Sequence, residues 1–107
     1  MNLKNALRKQ PVSKSEPEYQ AFISLFTEMN GLLHQVDNNI VNVSDDIAIS
    51  VFIPLVEDIE ELMSITGVYI KGLESNSGKK VLSNNREQLN EVISMMKDAV
   101  HNIETQL

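Results

Sequence analysis

The sequence contains no cysteine and no tryptophan, and aromatic residues make up only 5% of it. Without cysteine the chain forms neither a disulfide nor a zinc–thiolate site, and it has no thiol nucleophile. Its most apolar stretch, IAISVFIPLV at residues 47–56, is about half as long as the roughly 20 residues that a membrane-spanning helix needs. A glycine-rich phosphate loop and the common hydrolase and metalloprotease motifs are also missing. We therefore expect a small soluble cytoplasmic protein that has no cofactor and is not an enzyme.

What is present is the composition of one small folded domain. The 107 residues are 42% hydrophobic and 22% charged, which allows a single modest core. Residues 1–15 contain four basic and no acidic residues, so residues 16–107, with the other five basic and all fifteen acidic residues, carry a net charge of −10. Such an acidic body repels a phosphate backbone and argues against nucleic-acid binding. We predict a basic flexible arm at residues 1–15 and a single helical domain at residues 16–107.

Apolar residues recur at alternating intervals of three and four, the spacing of helices that pack along one side. Three such series predict helices at about residues 16–42, 45–71 and 79–106. The first series is Tyr19, Phe22, Phe26, Met29, Leu33, Val36, Ile40 and Val43; the second is Ala48, Phe52, Leu55, Ile59, Leu62, Thr66, Tyr69 and Leu73; the third is Leu82, Leu89, Ile93, Met96, Val100, Ile103 and Leu107, with Arg86 as a polar residue between the first two. Short connections between such helices predict an all-α, antiparallel three-helix bundle with coiled-coil-like packing.

Residues with strong positional preferences mark the helix starts. Pro17 falls in the first turn of the first helix, where its missing N–H leaves no hydrogen bond unmade. Ser44, which is followed by two aspartates, is a typical N-cap for the second helix. Pro54 lies inside that helix and removes the backbone bond to the carbonyl of Ser50, so we predict a kink at Pro54.

Residues 40–53 also allow a second interpretation, as a β-hairpin in an α+β fold. The β-branched residues of this segment alternate with other residues, as they do in a strand: Ile47, Ile49, Val51 and Ile53. Two strands alone are marginally stable and need a partner sheet. The uninterrupted heptads on both sides of Ser44 favour the helical interpretation.

The apolar excess of the second helix predicts a binding surface. Between residues 47 and 56 only Ser50 has a polar side chain, and a helix that is apolar on all sides is buried on all sides. Two neighbouring helices cannot surround a third, so we expect a second copy, another helical protein or the N-terminal arm to cover this half of the helix. The residues predicted to form the partner interface are Ile47, Ile49, Val51, Ile53, Val56 and Met63.

These patterns predict a protein–protein interaction module that forms a homodimer or caps a partner, as small chaperones, inhibitors, antitoxin or immunity proteins and regulatory subunits do. The alternative is a small helical metal-binding protein or enzyme. His34 and Asp37 lie about one helical turn apart, and His101 shares a polar face with acidic residues of the third helix. A zinc site needs three or four ligands, and this requirement makes the alternative the weaker interpretation.

Overall fold

A computed structural model describes residues 10–107 as a bundle of helices. The elements are α1 (Pro17–Ile40), α2 (Asp45–Ile47), a π-helical turn (Ala48–Phe52), α3 (Ile53–Glu74) and α4 (Gly78–Glu104). Because α2, the π turn and α3 follow one another without interruption, we call them together the middle helix. No strand occurs within residues 10–107, so the predicted all-α fold is confirmed and the alternative hairpin at residues 40–53 is wrong.

The bundle is elongated, and each of α1, α3 and α4 contacts the other two. The described part of the chain measures 63 × 23 × 19 Å and has a radius of gyration of 17.4 Å. A compact domain of similar length has a radius of about 13 Å. No helix in this part of the chain is long and apolar enough to cross a membrane. The antiparallel order of the helices stays a prediction.

The buried side of α1 differs in part from the predicted one. Its buried apolar residues are Tyr19, Phe22, Leu25, Met29, Leu32 and Val36. Leu25 and Leu32 thus replace Phe26 and Leu33, of which Phe26 is 36% exposed and Leu33 is half-buried. Both series are spaced by threes and fours and share four members, so the spacing alone does not decide between them.

The other two predicted series are the ones that the structure buries. In the middle helix, Leu55, Ile59, Thr66 and Leu73 are buried, while Ala48, Phe52, Leu62 and Tyr69 are half-buried. The six members of the third series that lie in α4, from Leu82 to Ile103, are buried, and its last member, Leu107, is half-buried. The Thr66 hydroxyl donates to the carbonyl of Leu62 at 2.7 Å, which satisfies the one buried polar side chain of the middle helix. Burial in these two helices therefore follows the heptad spacing.

The middle helix accommodates Pro54 by widening just before it. Its start is as predicted, because the Ser44 hydroxyl oxygen accepts a hydrogen bond from the N–H of Ile47 at 3.4 Å. The N–H of Ile53 then donates to the carbonyl of Ala48, five residues back instead of four, and Pro54 follows in the first turn of α3. The missing N–H of Pro54 therefore falls where the backbone bonding pattern changes. A bend of the helix axis at Pro54 stays a prediction.

The segment before α1 is attached to the connection between α3 and α4. Val12 is buried in the core, and its N–H donates to the carbonyl of Leu73 at 3.0 Å. The carbonyl of Gln10 accepts a hydrogen bond from the N–H of Lys79 at 2.9 Å. Residues 10–12 therefore pack on the bundle, while the rest of the predicted flexible arm includes residues 1–9, which lie outside the described residues.

A polar cluster joins the start of α1 to α4. The side chain of Glu18 is 8% exposed, and its carboxylate accepts a hydrogen bond from the amide of Asn90 at 2.9 Å. The guanidinium of Arg86 lies 3.5 Å from Glu18 and 2.9 Å from Glu16. The hydrogen bond from Asn90 lowers the pKa of the Glu18 carboxyl, assisted by the charge of Arg86 and opposed by burial. Arg86 takes the place of an apolar residue in the α4 series and serves this cluster.

Glu28 of α1 and Glu104 of α4 form a carboxyl pair in which the pKa of Glu28 shifts in the direction opposite to that of Glu18. A hydrogen bond with Glu104 raises the pKa of Glu28, and burial and the negative charge of Glu104 raise it further. At neutral pH the two carboxylates repel each other, whereas the ionised Glu18 is stabilised by its neighbours.

Two phenylalanines of α1 test which side of this helix is buried. Phe22→Ala should lower the free energy of unfolding by about 3–5 kcal/mol, because the ring is fully buried and stacks on Tyr69 with centroids 5.1 Å apart. Phe26→Ala, one turn further along, should cost less than about 1.5 kcal/mol because its ring is partly exposed. Urea unfolding followed by circular dichroism measures both losses. Equal losses would contradict the buried side described here.

The two carboxyl clusters predict opposite dependences on pH. The lowered pKa of Glu18 means that its ionised form stabilises the fold above the ordinary pKa of glutamate, and that this stabilisation is lost as the pH falls through the folded-state pKa. Glu18→Gln should therefore lower the free energy of unfolding by on the order of 1 kcal/mol at about pH 7 and by less at about pH 3.

Glu28→Gln is the matched comparison. The pKa of Glu28 is raised, so its protonated form stabilises the fold below the ordinary pKa, and that stabilisation is lost as the pH rises through the folded-state pKa. Glu28→Gln should raise the free energy of unfolding at neutral pH, because it removes the repulsion by Glu104. Urea unfolding at both pH values measures the two variants; a loss of stability in Glu28→Gln at neutral pH would contradict the assignment.

Candidate protein-interaction surface

The residues predicted to bind a partner lie in the first part of the middle helix, and the structure divides them into two groups. Val56 and Met63 are half-buried and pack against the core. The other four are exposed on the single chain: Ile47 (46%), Ile49 (64%), Val51 (41%) and Ile53 (43%). We call these four residues the aliphatic patch.

The aliphatic patch consists of two rows. Ile47 and Val51 are four positions apart, as are Ile49 and Ile53, so each pair lies along one side of the helix. Phe52, whose position falls between the rows, packs against the core, and the π turn contacts α1. Helix α1 of the same chain therefore covers the strip between the two rows and leaves both rows exposed.

The patch is exposed because α4 lies elsewhere along the bundle. The last turns of α4, with Ala99, Asn102 and Ile103, line a groove with Asp58 and Ile65 of α3. At 1.5 Å per residue, Ile49 lies roughly 14 Å from Asp58 along the middle helix. The main contacts of the π turn are accordingly with α1 and with the adjoining parts of its own helix. Two helices thus pair around the patch, whereas three pair along the rest of the bundle.

Acidic residues flank the aliphatic patch on both sides. All six are exposed: Asp45 and Asp46 before it, and Glu57, Asp58, Glu60 and Glu61 after it. No lysine or arginine occurs between Lys14 and Lys71, a stretch that contains ten acidic residues. The surroundings of the patch therefore have one sign of charge, with negative residues at both ends of an uncharged centre.

A second apolar surface lies in the groove between α1 and α3. The groove has a volume of about 520 Å³, and its apolar lining includes Ile23, Phe26, Val68 and Ile70. Val68 is 68% exposed. The heptad series assigned Phe26 to the core and did not include Val68, so sequence reasoning missed this surface. Its only signal in the sequence is an apolar residue on the side of α3 opposite the buried stripe.

The residues of the metal-binding alternative are separate. His34, Asp37 and His101 are all exposed. His101 lines a groove between α1 and α4 that does not include the other two; its polar lining is Ser24, Glu28, Lys97, His101 and Glu104. Within residues 10–107, no group of three or more histidine, aspartate or glutamate residues is placed to hold a metal ion.

Because the chain has no cysteine, one introduced cysteine reports the exposure of one position. Ile49→Cys and Met95→Cys should react with a thiol reagent such as DTNB at similar rates in dilute solution, since both positions are largely exposed. Leu55→Cys should react slowly because Leu55 is buried. Slow reaction of Ile49→Cys at the lowest protein concentration would show that the chain itself covers the patch, contrary to the structure.

Comparison with known proteins supplies no relative from which a function can be inferred. No family model, no curated protein and no solved structure matches this chain. The aliphatic patch and the charges beside it are therefore the features that indicate a function.

Proposed function

We propose that this chain is a non-enzymatic protein–protein interaction module that binds through the aliphatic patch. The observation that supports the proposal is the exposure, at 41–64%, of four aliphatic residues within seven consecutive positions. A single exposed aliphatic residue is ordinary on a protein surface. Four such residues on two sides of one short helical stretch, bordered by acidic residues, are instead a concentration of exposed apolar surface of the kind that marks an interaction site.

The free energy available from the patch limits what kind of complex it supports. Burying a fully exposed aliphatic side chain contributes about 1.5–3 kcal/mol, so four side chains that are about half exposed contribute roughly 3–6 kcal/mol. Association costs about 4 kcal/mol or more in lost translational and rotational freedom. A stable complex therefore needs further contacts next to the patch. Val41, 78% exposed in the connection before the middle helix, and the flanking acidic residues are candidates for these contacts.

Two kinds of complex would use the patch in this way. In a homodimer, the patches of two copies would cover each other. In a hetero-complex, the patch would receive an apolar face of another helical protein, as in a small chaperone, an inhibitor, an antitoxin or immunity protein, or a regulatory subunit. Both are interaction functions and neither requires a catalytic residue.

The test compares a charge placed in the patch with the same charge placed elsewhere. Ile49→Asp, alone or with Ile53→Asp, should abolish association, because burying an unpaired carboxylate is strongly unfavourable. Met95→Asp is the matched control, since Met95 is 70% exposed on α4. Light scattering over a range of protein concentrations measures self-association, and affinity capture from the source lysate, compared among the variants, measures partner binding.

Wild type and Met95→Asp should associate equally, and Ile49→Asp should not associate. All three proteins should keep the same helical circular dichroism spectrum. A wild-type chain that stays monomeric and captures the same proteins as Ile49→Asp would contradict the proposal.

A further inference from the structure

We infer that the partner of the aliphatic patch is an amphipathic helix of another protein, with basic residues at both ends of its apolar face, and not a second copy of this chain. The inference rests on the proposed function and specifies the chemistry of the partner. Three features carry it: the sign of the charge around the patch, the position of the chain's own basic residues, and the spacing of the two acidic flanks.

The charged residues nearest to the patch in the sequence are all negative. Ten aspartates and glutamates, and no lysine or arginine, occur between Ser15 and Ile70. This range includes all of α1 and most of the middle helix. These are the two helices that meet at the patch. Charged groups at the rim of an interface steer association and select partners of opposite sign. The flanks of the patch therefore favour a partner that brings positive charge.

Pairing the patch with the same patch of a second copy would bring like charges together. In an antiparallel pair centred on Val51, Asp45 of one copy lies opposite Glu57 of the other. In a parallel pair, Asp45 and Asp46 lie beside their own equivalents. Like charges placed against each other across an interface are unfavourable, and the sequence offers no lysine or arginine between Lys14 and Lys71 to neutralise them. The aliphatic residues alone would have to overcome this repulsion, and their contribution is already close to the cost of association.

The chain's own basic arm is attached too far away to cover the patch as a helix. Residues 10–12 are hydrogen-bonded beside Leu73 and Lys79. At 1.5 Å per residue, Ile49 lies roughly 36 Å from Leu73 along the middle helix. A helix formed by residues 1–9 would be about 14 Å long. These nine residues therefore cannot place an amphipathic helical face on the patch of the same chain.

The spacing of the acidic flanks sets the pattern of the partner. Asp46 and Glu57 enclose the apolar stretch and are separated by roughly 16 Å along the helix. A partner helix that lies along the patch needs positive groups at about the same separation, or about 11 residues apart, with aliphatic residues between them. Such a helix buries exposed aliphatic side chains of the patch and pairs its charges at the rim, the usual arrangement of an interface.

A synthetic helix provides the probe. The peptide carries leucines along one face and a lysine pair at each end of that face, about 11 residues apart, with a fluorophore for anisotropy measurements. A second peptide has glutamate in place of lysine. The full chain should bind the lysine peptide, more weakly as salt is added, and should not bind the glutamate peptide.

Paired variants separate local from general electrostatics. Asp45→Asn with Asp46→Asn should weaken binding of the lysine peptide about fivefold or more, the effect of two rim ion pairs. Glu87→Gln with Glu91→Gln changes the net charge equally on the exposed side of α4 and should leave the affinity unchanged. Ile49→Asp should abolish binding, and Met95→Asp should not.

Each contrary outcome has a defined meaning. Equal weakening by the two double variants, or no binding of the lysine peptide at low salt, overturns the basic-partner inference. A wild-type dimer at low salt that Ile49→Asp dissociates also overturns it, while supporting the proposed function. If Ile49→Asp changes neither peptide binding nor self-association, both the inference and the proposed function fail.

Discussion

The middle helix carries apolar side chains around more of its circumference than two neighbouring helices can cover. From Leu55 to Leu73, α1 and α4 both pack on it and bury Ile59, Thr66 and Leu73, while Val68 stays exposed. At the π turn, Ala48–Phe52, the main contact with another helix among the described residues is with α1. The same helix therefore supplies the core of the bundle at one end and an exposed aliphatic surface at the other. Architecture and proposed function both follow from this unequal coverage.

The two ends of the molecule also differ in how their charges are arranged. Near the start of α1, Glu16 and Glu18 meet Arg86 and Asn90, so negative charge is paired within the chain. Around the aliphatic patch, the acidic residues of the middle helix have no lysine or arginine near them in the sequence. Paired charge contributes to the stability of the fold, whereas unpaired charge of one sign remains available to another molecule. This contrast separates the structural use of the acidic residues from their proposed use in recognition.

The sequence predicts the folded helices better than it predicts the exposed surfaces. In α4 the apolar series predicts the buried side correctly because polar residues occupy the other sides of the helix. In the middle helix the N-cap at Ser44 fixes where the helix starts. In α1, apolar residues stand at adjacent positions 25–26 and 32–33, so two seams with equal spacing compete, and only packing chooses between them. Among the predicted interface residues, Val56 packs against the core whereas Ile53 is exposed, and this difference is set by tertiary packing. The spacing of residues within one helix does not contain that information.

The wide turn before Pro54 also determines where the middle helix tolerates the deletion of a residue. In a regular α-helix, deleting one residue rotates every later side chain by about 100° and would move the buried stripe away from its neighbours. The π turn at Ala48–Phe52 contains one more residue than an α-helical turn would, so a deletion there removes the widening and keeps both flanking segments in phase. The regularised helix would, however, bring the proline ring against a carbonyl four residues earlier. A shortened form of this helix therefore requires a replacement at position 54, and the length of the segment and the identity of that residue would have to change together.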